Sequence, residues 1–274
     1  MNNKIKPILI AISLIAIVFL INSIVEKKKE EGRIEKEKQD IRNKLENAKR
    51  FTELALRKDN NEEAMKLIVR SNEIIPTAEN SRQACIILQT MKKFEESISW
   101  CTQGYELGDD LSLLGIALAY RGVKNYEEAL SWAFIANEKQ IPGSAGTIGL
   151  VYSEMKDYLN AEKWYLQAIK DDPKDSQDLN NLISFYIEKL NNKILGAAYA
   201  IASVNNVFPA NTIGDFLVGI HKIPLEDLKK AYEFQLNNPI LPYKYEEKER
   251  RIGFLTEKDY KSVLERYLQR NSTN

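Results

Sequence analysis

The sequence predicts an all-α protein: an α-solenoid of helix–turn–helix repeats with an N-terminal transmembrane helix and a C-terminal helical cap. Three observations predict this fold class. An uncharged apolar run occupies residues 7–25. Tryptophan recurs every 32 residues, at Trp100, Trp132 and Trp164, in similar surroundings. Beyond residue 205 the repetition fades, and prolines divide the chain into short amphipathic segments.

The apolar run predicts a membrane anchor. It follows a short tail, residues 1–6, and its 19 residues would span about 28 Å as a helix, close to the thickness of a bilayer core. A cleaved signal peptide is the alternative, but residues 21–26 lack the small side chains that precede a cleavage site. We therefore expect a single-pass membrane protein, anchored through residues 7–25.

Two signals disagree on which side of the membrane the soluble domain lies. The short tail contains Lys4 and Lys6 but no acid, as a signal anchor does, and this favours export. The lysines and arginines at 27–38 outnumber them and favour the opposite orientation. We prefer export, which predicts a bacterial inner-membrane protein whose soluble domain is periplasmic rather than cytoplasmic.

Charge is unevenly distributed, although the formal net charge is zero. Residues 26–44 alternate charges of both signs and predict a charged helical stalk. Beyond residue 50 the chain carries 27 basic and 32 acidic residues. Because such a domain has no basic stripe to neutralise phosphates, nucleic acid is not an expected partner.

The repeats are defined by residues around the tryptophans. An aromatic residue, a small residue, tryptophan and another small residue recur as Phe94-Ser97-Trp100-Gly104, Tyr126-Ala129-Trp132-Ala136 and Tyr158-Ala161-Trp164-Ala168. The small residues allow two helices to approach closely around turns at 124–125 and 156–157, and the large ones fill gaps. Weaker copies, with Asn61 and Asn192 in the aromatic position, flank these. We expect about five repeats over residues 45–205.

These residues resemble the tetratricopeptide repeat and the related Sel1-like repeat, to which Tyr120-Arg121-Gly122-Val123 is similar. The resemblance implies a right-handed superhelical array whose concave face binds proteins. In these families the first helix of each repeat lines that face. The positions that this implies for partner binding are Arg82, Gln89, Leu118, Arg121, Leu150, Glu154, Asn180 and Ser184. A solvated surface without a specific ligand is the alternative.

The two cysteines, Cys85 and Cys101, lie eight residues either side of Lys93, near the turn of one predicted hairpin. Cys85 takes the position filled by Ala117 and Gly149 in other repeats, where the backbones come close enough for a disulfide. We hypothesise a Cys85–Cys101 disulfide in an exported protein. In a reducing compartment they would be two buried apolar residues. Thiol titration after unfolding without reductant tests the pairing, and two reactive thiols would contradict it.

Catalytic constellations are missing from the sequence. The single histidine, His221, has no triad, metal cluster or glycine-rich phosphate loop around it. Acidic pairs such as Asp171-Asp172 fall at predicted helix ends, where we interpret them as solvated caps. We expect no enzyme activity, catalytic residue, metal, cofactor or small-molecule substrate.

Residues 206–274 predict the C-terminal cap. The last predicted helix begins after Thr256 and carries its apolar residues on one face: Tyr260, Val263, Leu264, Tyr267 and Leu268. A separate partner-binding tail is the alternative.

The function expected from these elements is that of a membrane-anchored scaffold that binds a protein partner. The Sel1-like resemblance implies an alternative, an immunity protein that neutralises a secreted toxin such as a phospholipase. A translocon-associated or envelope chaperone is a further alternative, since some of these have one anchor followed by tetratricopeptide repeats.

Overall fold

The computed structural model describes the backbone of residues 5–246 and 252–272 and the side chains of residues 22–246 and 252–271. Within these ranges it contains thirteen α-helices, two π-helical segments and no strand, which confirms the predicted all-α class. The chain divides into two compact bodies, Met1–Met91 and Lys92–Asn274.

The first body consists of α1 (Ile5–Leu56), α2 (Asn61–Ile74) and α3 (Ala78–Thr90). Helix α2 packs against both α1 and α3. Buried hydroxyls join the three helices: Ser71 Oγ donates to the Ala48 carbonyl at 2.6 Å, and Thr52 Oγ1 donates to Asn80 Oδ1 at 2.6 Å. The hydroxyls of Ser71 and Thr52 thus have partners, as buried polar groups usually do.

Helix α1 contains both the predicted anchor and the predicted stalk. The stalk residues, 26–44, are exposed. Ion pairs form along this part of the helix, for example between Lys44 Nζ and Asp40 Oδ2 at 2.9 Å. The side chains of the anchor that precede Asn22, and all of residues 1–4, lie outside the described residues. Among the helices as described, none is both long enough and apolar enough to cross a membrane.

The second body contains the remaining helices. Their bounds are α4 (Phe94–Glu106), α5 (Ser112–Gly122), α6 (Tyr126–Glu138), α7 (Ser144–Glu154), α8 (Tyr158–Asp171), α9 (Ser176–Ser184), α10 (Lys193–Ala202), α11 (Ala210–Gly214), α12 (Leu225–Asn237) and α13 (Glu257–Ser272), with π-helical segments at Phe185–Lys189 and Asp215–Ile220. From α4 to α9 each helix packs against the next, and α7 also packs against α5 and α9. The first helices of successive repeats therefore lie side by side.

The turns within the repeats share one backbone conformation. Lys124 and Lys156 have positive φ values of 61° and 64°, and each ends a first helix. The following residue closes the helix by donating its N–H five residues back, from Asn125 to Tyr120 and from Asp157 to Tyr152. This is the Schellman arrangement, in which the next side chain also caps the second helix. The 32-residue period thus extends to the backbone.

The small repeat residues mark the closest helix contacts. Ala117, Ala129 and Ala161 are fully buried. A Cβ atom added to Gly149 would lie 2.8 Å from the Tyr165 ring, so α7 and α8 approach there because the side chain is absent.

The three tryptophans are half-buried, and Trp132 and Trp164 lie between successive second helices. Trp132 of α6 makes an edge-to-face contact with Tyr105 of α4, at 6.0 Å between centroids, and Trp164 of α8 makes one with Phe134 of α6 at 5.5 Å. Such pairs stabilise beyond their buried area. Trp132 and Trp164 therefore pack against the preceding repeat as well as within their own.

Helix α13 packs against the π-helical segment Asp215–Ile220. Arg266 and Arg270 both donate to the Asp215 carboxylate, at 3.0 and 2.9 Å. As predicted, Thr256 caps the helix by accepting from the Asp259 N–H. On the predicted apolar face of α13, Val263 is buried, whereas Leu268 is 53% exposed.

Candidate functional site

Four of the predicted partner-binding residues form a strip on α5 and α7. Arg121 Nη1 donates to Glu154 Oε1 at 2.6 Å and so joins the two helices. Leu118 and Leu150 lie one turn earlier on the same faces and are half-buried. Arg121 and Glu154 thus pair with each other, and the other two residues of the strip, Leu118 and Leu150, are apolar.

Helix α9 extends this surface, because it packs against α7. Asn180 is exposed and Ser184 is half-buried. With α5, α7 and α9, the second body thus presents six of the eight predicted positions on three first helices. We call this surface the groove strip.

The other predicted site residues involve the first body. Arg82 donates to Glu79 at 2.7 Å, and Gln89 Nε2 donates to Cys85 Sγ at 3.4 Å, both within α3. That Arg82 and Gln89 line a binding groove stays a prediction. Cys85 and Cys101 are both buried, and the disulfide between them stays a prediction. Thiol titration after unfolding without reductant tests whether the two cysteines are bonded.

A cavity that the sequence interpretation missed lies beside the first turns of α7 and α9, within the second body. It has a volume of about 570 Å³, within the range of roughly 300–1,000 Å³ usual for ligand sites. Its lining residues are Asn137, Gln140, Ile141, Pro142, Gly143, Ser144, Ala145, Ala168, Asp171, Asp172, Asp175 and Asp178. Four of these are acids and none is basic. We call it the acidic pocket.

Asp178 is the most deeply placed acid of the pocket, at 6% exposure. Its carboxylate lies against Gly146, where an added Cβ atom would overlap Oδ1. Among the described residues, no hydrogen-bond donor and no basic side chain contacts this carboxylate. Burial, followed by the negative charges of Asp175, Asp172 and Asp171, raises the pKa of Asp178 to about 6.

The other three acids have local partners but no neutralising charge. Asp175 Oδ1 caps α9 by accepting the N–H groups of Gln177 and Asp178, both at 2.8 Å. Asp172 accepts the Lys174 N–H at 2.9 Å, and Asp171 accepts from the Gln167 amide at 2.6 Å. These acids are therefore more than the solvated caps that the sequence suggested, since they share a cavity with Asp178. Their close spacing in the sequence was the available signal.

Replacing Asp178 with asparagine is expected to stabilise the protein at neutral pH. The folded-state pKa is raised from 3.8 to about 6, so the folded state binds this proton more tightly than the unfolded state does. The contribution of Asp178 to stability is therefore most favourable below about pH 4, is lost as the pH rises to about 6, and stays lost above it. The facing titratable groups are the three other pocket acids and Tyr165.

At pH 7.5 we expect Asp178→Asn to raise the free energy of unfolding by about 1–2 kcal/mol, which is less than the pKa shift alone implies because water screens the cavity. The gain should vanish near pH 4. Urea unfolding of the full chain in detergent at both pH values measures it, with Asp227→Asn on α12 as the control. A variant no more stable than the parent at pH 7.5 would contradict the assignment.

Among the described side chains, no group of three histidines, cysteines or acids is placed to hold a metal ion. His221 makes an edge-on contact with Phe216 at 4.4 Å, and burial lowers its pKa.

Comparison with known proteins supports the repeat assignment. A family model described as tetratricopeptide repeat matches residues 144–175, which comprise α7 and α8. No curated protein matches the chain significantly. Among solved structures, the chain is similar to the pilF protein of Pseudomonas aeruginosa, with 15% identity and a TM-score of 0.50 over 72% of this chain and 94% of that one.

A tetratricopeptide repeat protein from Parabacteroides merdae gives a TM-score of 0.55 at 13% identity, over 81% of this chain and 84% of that one. Identities this low show a shared fold alone. Residues 144–175 thus match a tetratricopeptide repeat, and the all-helical fold is similar to that of solved tetratricopeptide-repeat proteins.

Proposed function

We propose that this chain is a membrane-anchored interaction protein that binds a protein partner along the groove strip. Tetratricopeptide-type repeats generally mediate protein–protein interaction. The observation that carries the proposal is the side-by-side packing of α5, α7 and α9, which gives three successive repeats one continuous surface.

The chemistry of the groove strip suits a peptide with both apolar and polar groups. Leu118 and Leu150 offer partly exposed apolar contacts next to the Arg121–Glu154 ion pair. Because this ion pair is already formed, it fixes the relative position of α5 and α7. We therefore expect the leucines to contribute most of the affinity, as buried apolar anchors do in other interfaces.

The membrane part of the proposal rests on the uncharged run at residues 7–25. The continuity of α1 supports the anchor, because a helix of 52 residues is about 78 Å long. A helix of this length would extend the anchor directly into the charged stalk. We propose a bacterial inner-membrane protein with its soluble domain in the periplasm, arranged as a right-handed superhelical array. The toxin-neutralising and chaperone roles stay alternative predictions.

Site-specific photo-cross-linking in cells tests the partner surface. A photoreactive residue at Leu118 or Leu150 should yield one protein partner in near-stoichiometric amount. Leu159, which is 81% exposed on the second helix α8, is the matched control and should yield little. Leu150→Glu should reduce recovery of the partner at least roughly tenfold, whereas Leu159→Glu should not.

Equal cross-linking at Leu159 would contradict the proposed surface, and many unrelated products at Leu118 would favour the chaperone alternative. Deletion of residues 7–25 tests the anchor, and the protein should then leave the membrane fraction.

A further inference from the structure

The acidic pocket adjoins the groove strip but is distinct from it. The pocket is formed by the end of α8 and by the two connections that lead into α7 and α9. Ser144, Ala145 and Asp178 of the pocket lie in the first turns of α7 and α9. The groove-strip residues Leu150, Glu154 and Ser184 lie toward the ends of the same two helices. A partner segment that extends from the groove strip toward the beginning of α7 and α9 would therefore reach the pocket.

The negative charge of the acidic pocket favours the binding of a cation. Acids in the first turn of a helix are stabilised by the helix dipole, which accounts for Asp175 as the cap of α9. Asp178 also lies in the first turn of α9, but it is only 6% exposed, and its carboxylate lies beside Gly146 without a hydrogen-bond donor among the described residues. A buried charge is costly unless it is paired. The fold thus holds a buried acid, surrounded by three others, toward an open cavity.

The residues that flank the pocket in this chain do not supply a positive charge to its acids. Lys139, on the connection into α7, pairs instead with Asp110 at 3.0 Å. In the parts of the chain that are described, none of the four pocket acids forms an ion pair, and no three acids are placed to hold a metal ion. An organic cation with several N–H donors fits the carboxylate oxygens better.

The remaining lining residues indicate which organic cation fits. Ile141, Pro142 and Ala168 form apolar walls next to the acids. Lysine and arginine bury an aliphatic stem against apolar surface while the charged head pairs with carboxylates. A short, fully polar cation would leave these walls without contact.

We propose that the acidic pocket receives a lysine or arginine side chain of the protein partner. This inference rests on the proposed function, because it assigns one anchor point of the partner that lies along the groove strip. The head group would pair with Asp178 and with the adjacent Asp171 and Asp172, and its stem would lie against Ile141 and Pro142.

Fluorescence anisotropy of the full chain in detergent tests the pocket directly. The probe is a fluorescein-labelled, acetylated and amidated peptide of alternating glycine and arginine, and its matched control carries neutral citrulline in place of arginine. We expect the arginine peptide to bind at least roughly tenfold more tightly. Asp178→Asn and Asp171→Asn/Asp172→Asn should each remove most of this difference. Circular dichroism checks that each variant is folded.

The control variant is Glu127→Gln/Glu128→Gln, which removes two exposed acids from the first turn of α6. It should leave binding within about twofold. Equal losses in the control and the pocket variants would show diffuse attraction to an acidic protein and overturn the proposal. Equal binding of the arginine and citrulline peptides would overturn it as well.

Two competitors distinguish other occupants. Spermidine or Ca²⁺ that displaced the peptide at concentrations comparable to the peptide's own would identify a free polyamine or a metal site instead, and either result overturns the proposal. The cross-linking at Leu118 and Leu150 does not depend on the pocket acids. A pocket without arginine selectivity would therefore leave the proposed function standing. A partner absent from the groove strip would overturn the proposed function and, with it, the assignment of the pocket to that partner, even if the pocket bound the arginine peptide.

Discussion

Deletion of residues 244–274 is expected to lower the free energy of unfolding of the second body by more than about 5 kcal/mol. The deleted segment contributes Ile252, Phe254 and Val263, whose exposures are 2%, 1% and 4%. Each fully buried side chain of this size stabilises by about 1.5–3 kcal/mol. The deletion would also uncover Gly219, against which the Tyr267 ring lies.

Thermal and urea unfolding of the full chain in detergent measure this loss. Leu268→Ser is the matched control, because Leu268 is more than half exposed and should change stability by less than about 0.5 kcal/mol. An unchanged melting temperature after the deletion would show that the segment is a separate tail. The two interpretations of the C-terminal third are thereby separated.

Replacement of Gln235 by leucine is expected to lower the free energy of unfolding by about 2–4 kcal/mol. Gln235 is fully buried on α12. Its amide donates to the Tyr245 carbonyl at 2.7 Å and accepts the Tyr245 N–H at 2.9 Å. Leucine has a similar size but removes both hydrogen bonds at once, and the backbone groups of Tyr245 are themselves buried.

Urea unfolding again provides the measurement, with Asn237→Leu as the control on the exposed side of the same helix. Asn237 bonds only within α12, to the Glu233 carbonyl, so its loss should cost well under 1 kcal/mol. Equal effects of the two substitutions would contradict the role assigned to Gln235. Gln235→Glu would place a buried carboxylate oxygen against the Tyr245 carbonyl and should destabilise the protein at least as much as Gln235→Leu.

The helical repeats were predictable because the sequence contains both of their requirements. Small residues such as Ala117 and Ala161 recur where helices cross, and a 32-residue period is long enough for two helices and a turn. The cap of α13 at Thr256 was predictable for a similar reason, since it depends on residues within one turn. These features are local, or repeat locally.

The acidic pocket was not predictable in the same way. Asp178 matters because it lies against Gly146, in the preceding repeat, and that contact depends on how α7 and α9 are stacked. The groove strip was only partly predictable. Arg121 and Glu154 were correctly placed on first helices, but their mutual ion pair changes them from free recognition groups into a brace. The π-helical segments left no recognisable pattern in the sequence.

The aromatic contacts between second helices have an optical consequence. Indole emission responds to the polarity of its immediate surroundings, and Trp132 and Trp164 each lie at a different junction between repeats. The protein therefore carries a separate intrinsic fluorophore at each of these two junctions. Because a linear array loses its contacts junction by junction, variants that retain a single tryptophan would report where along the chain separation begins.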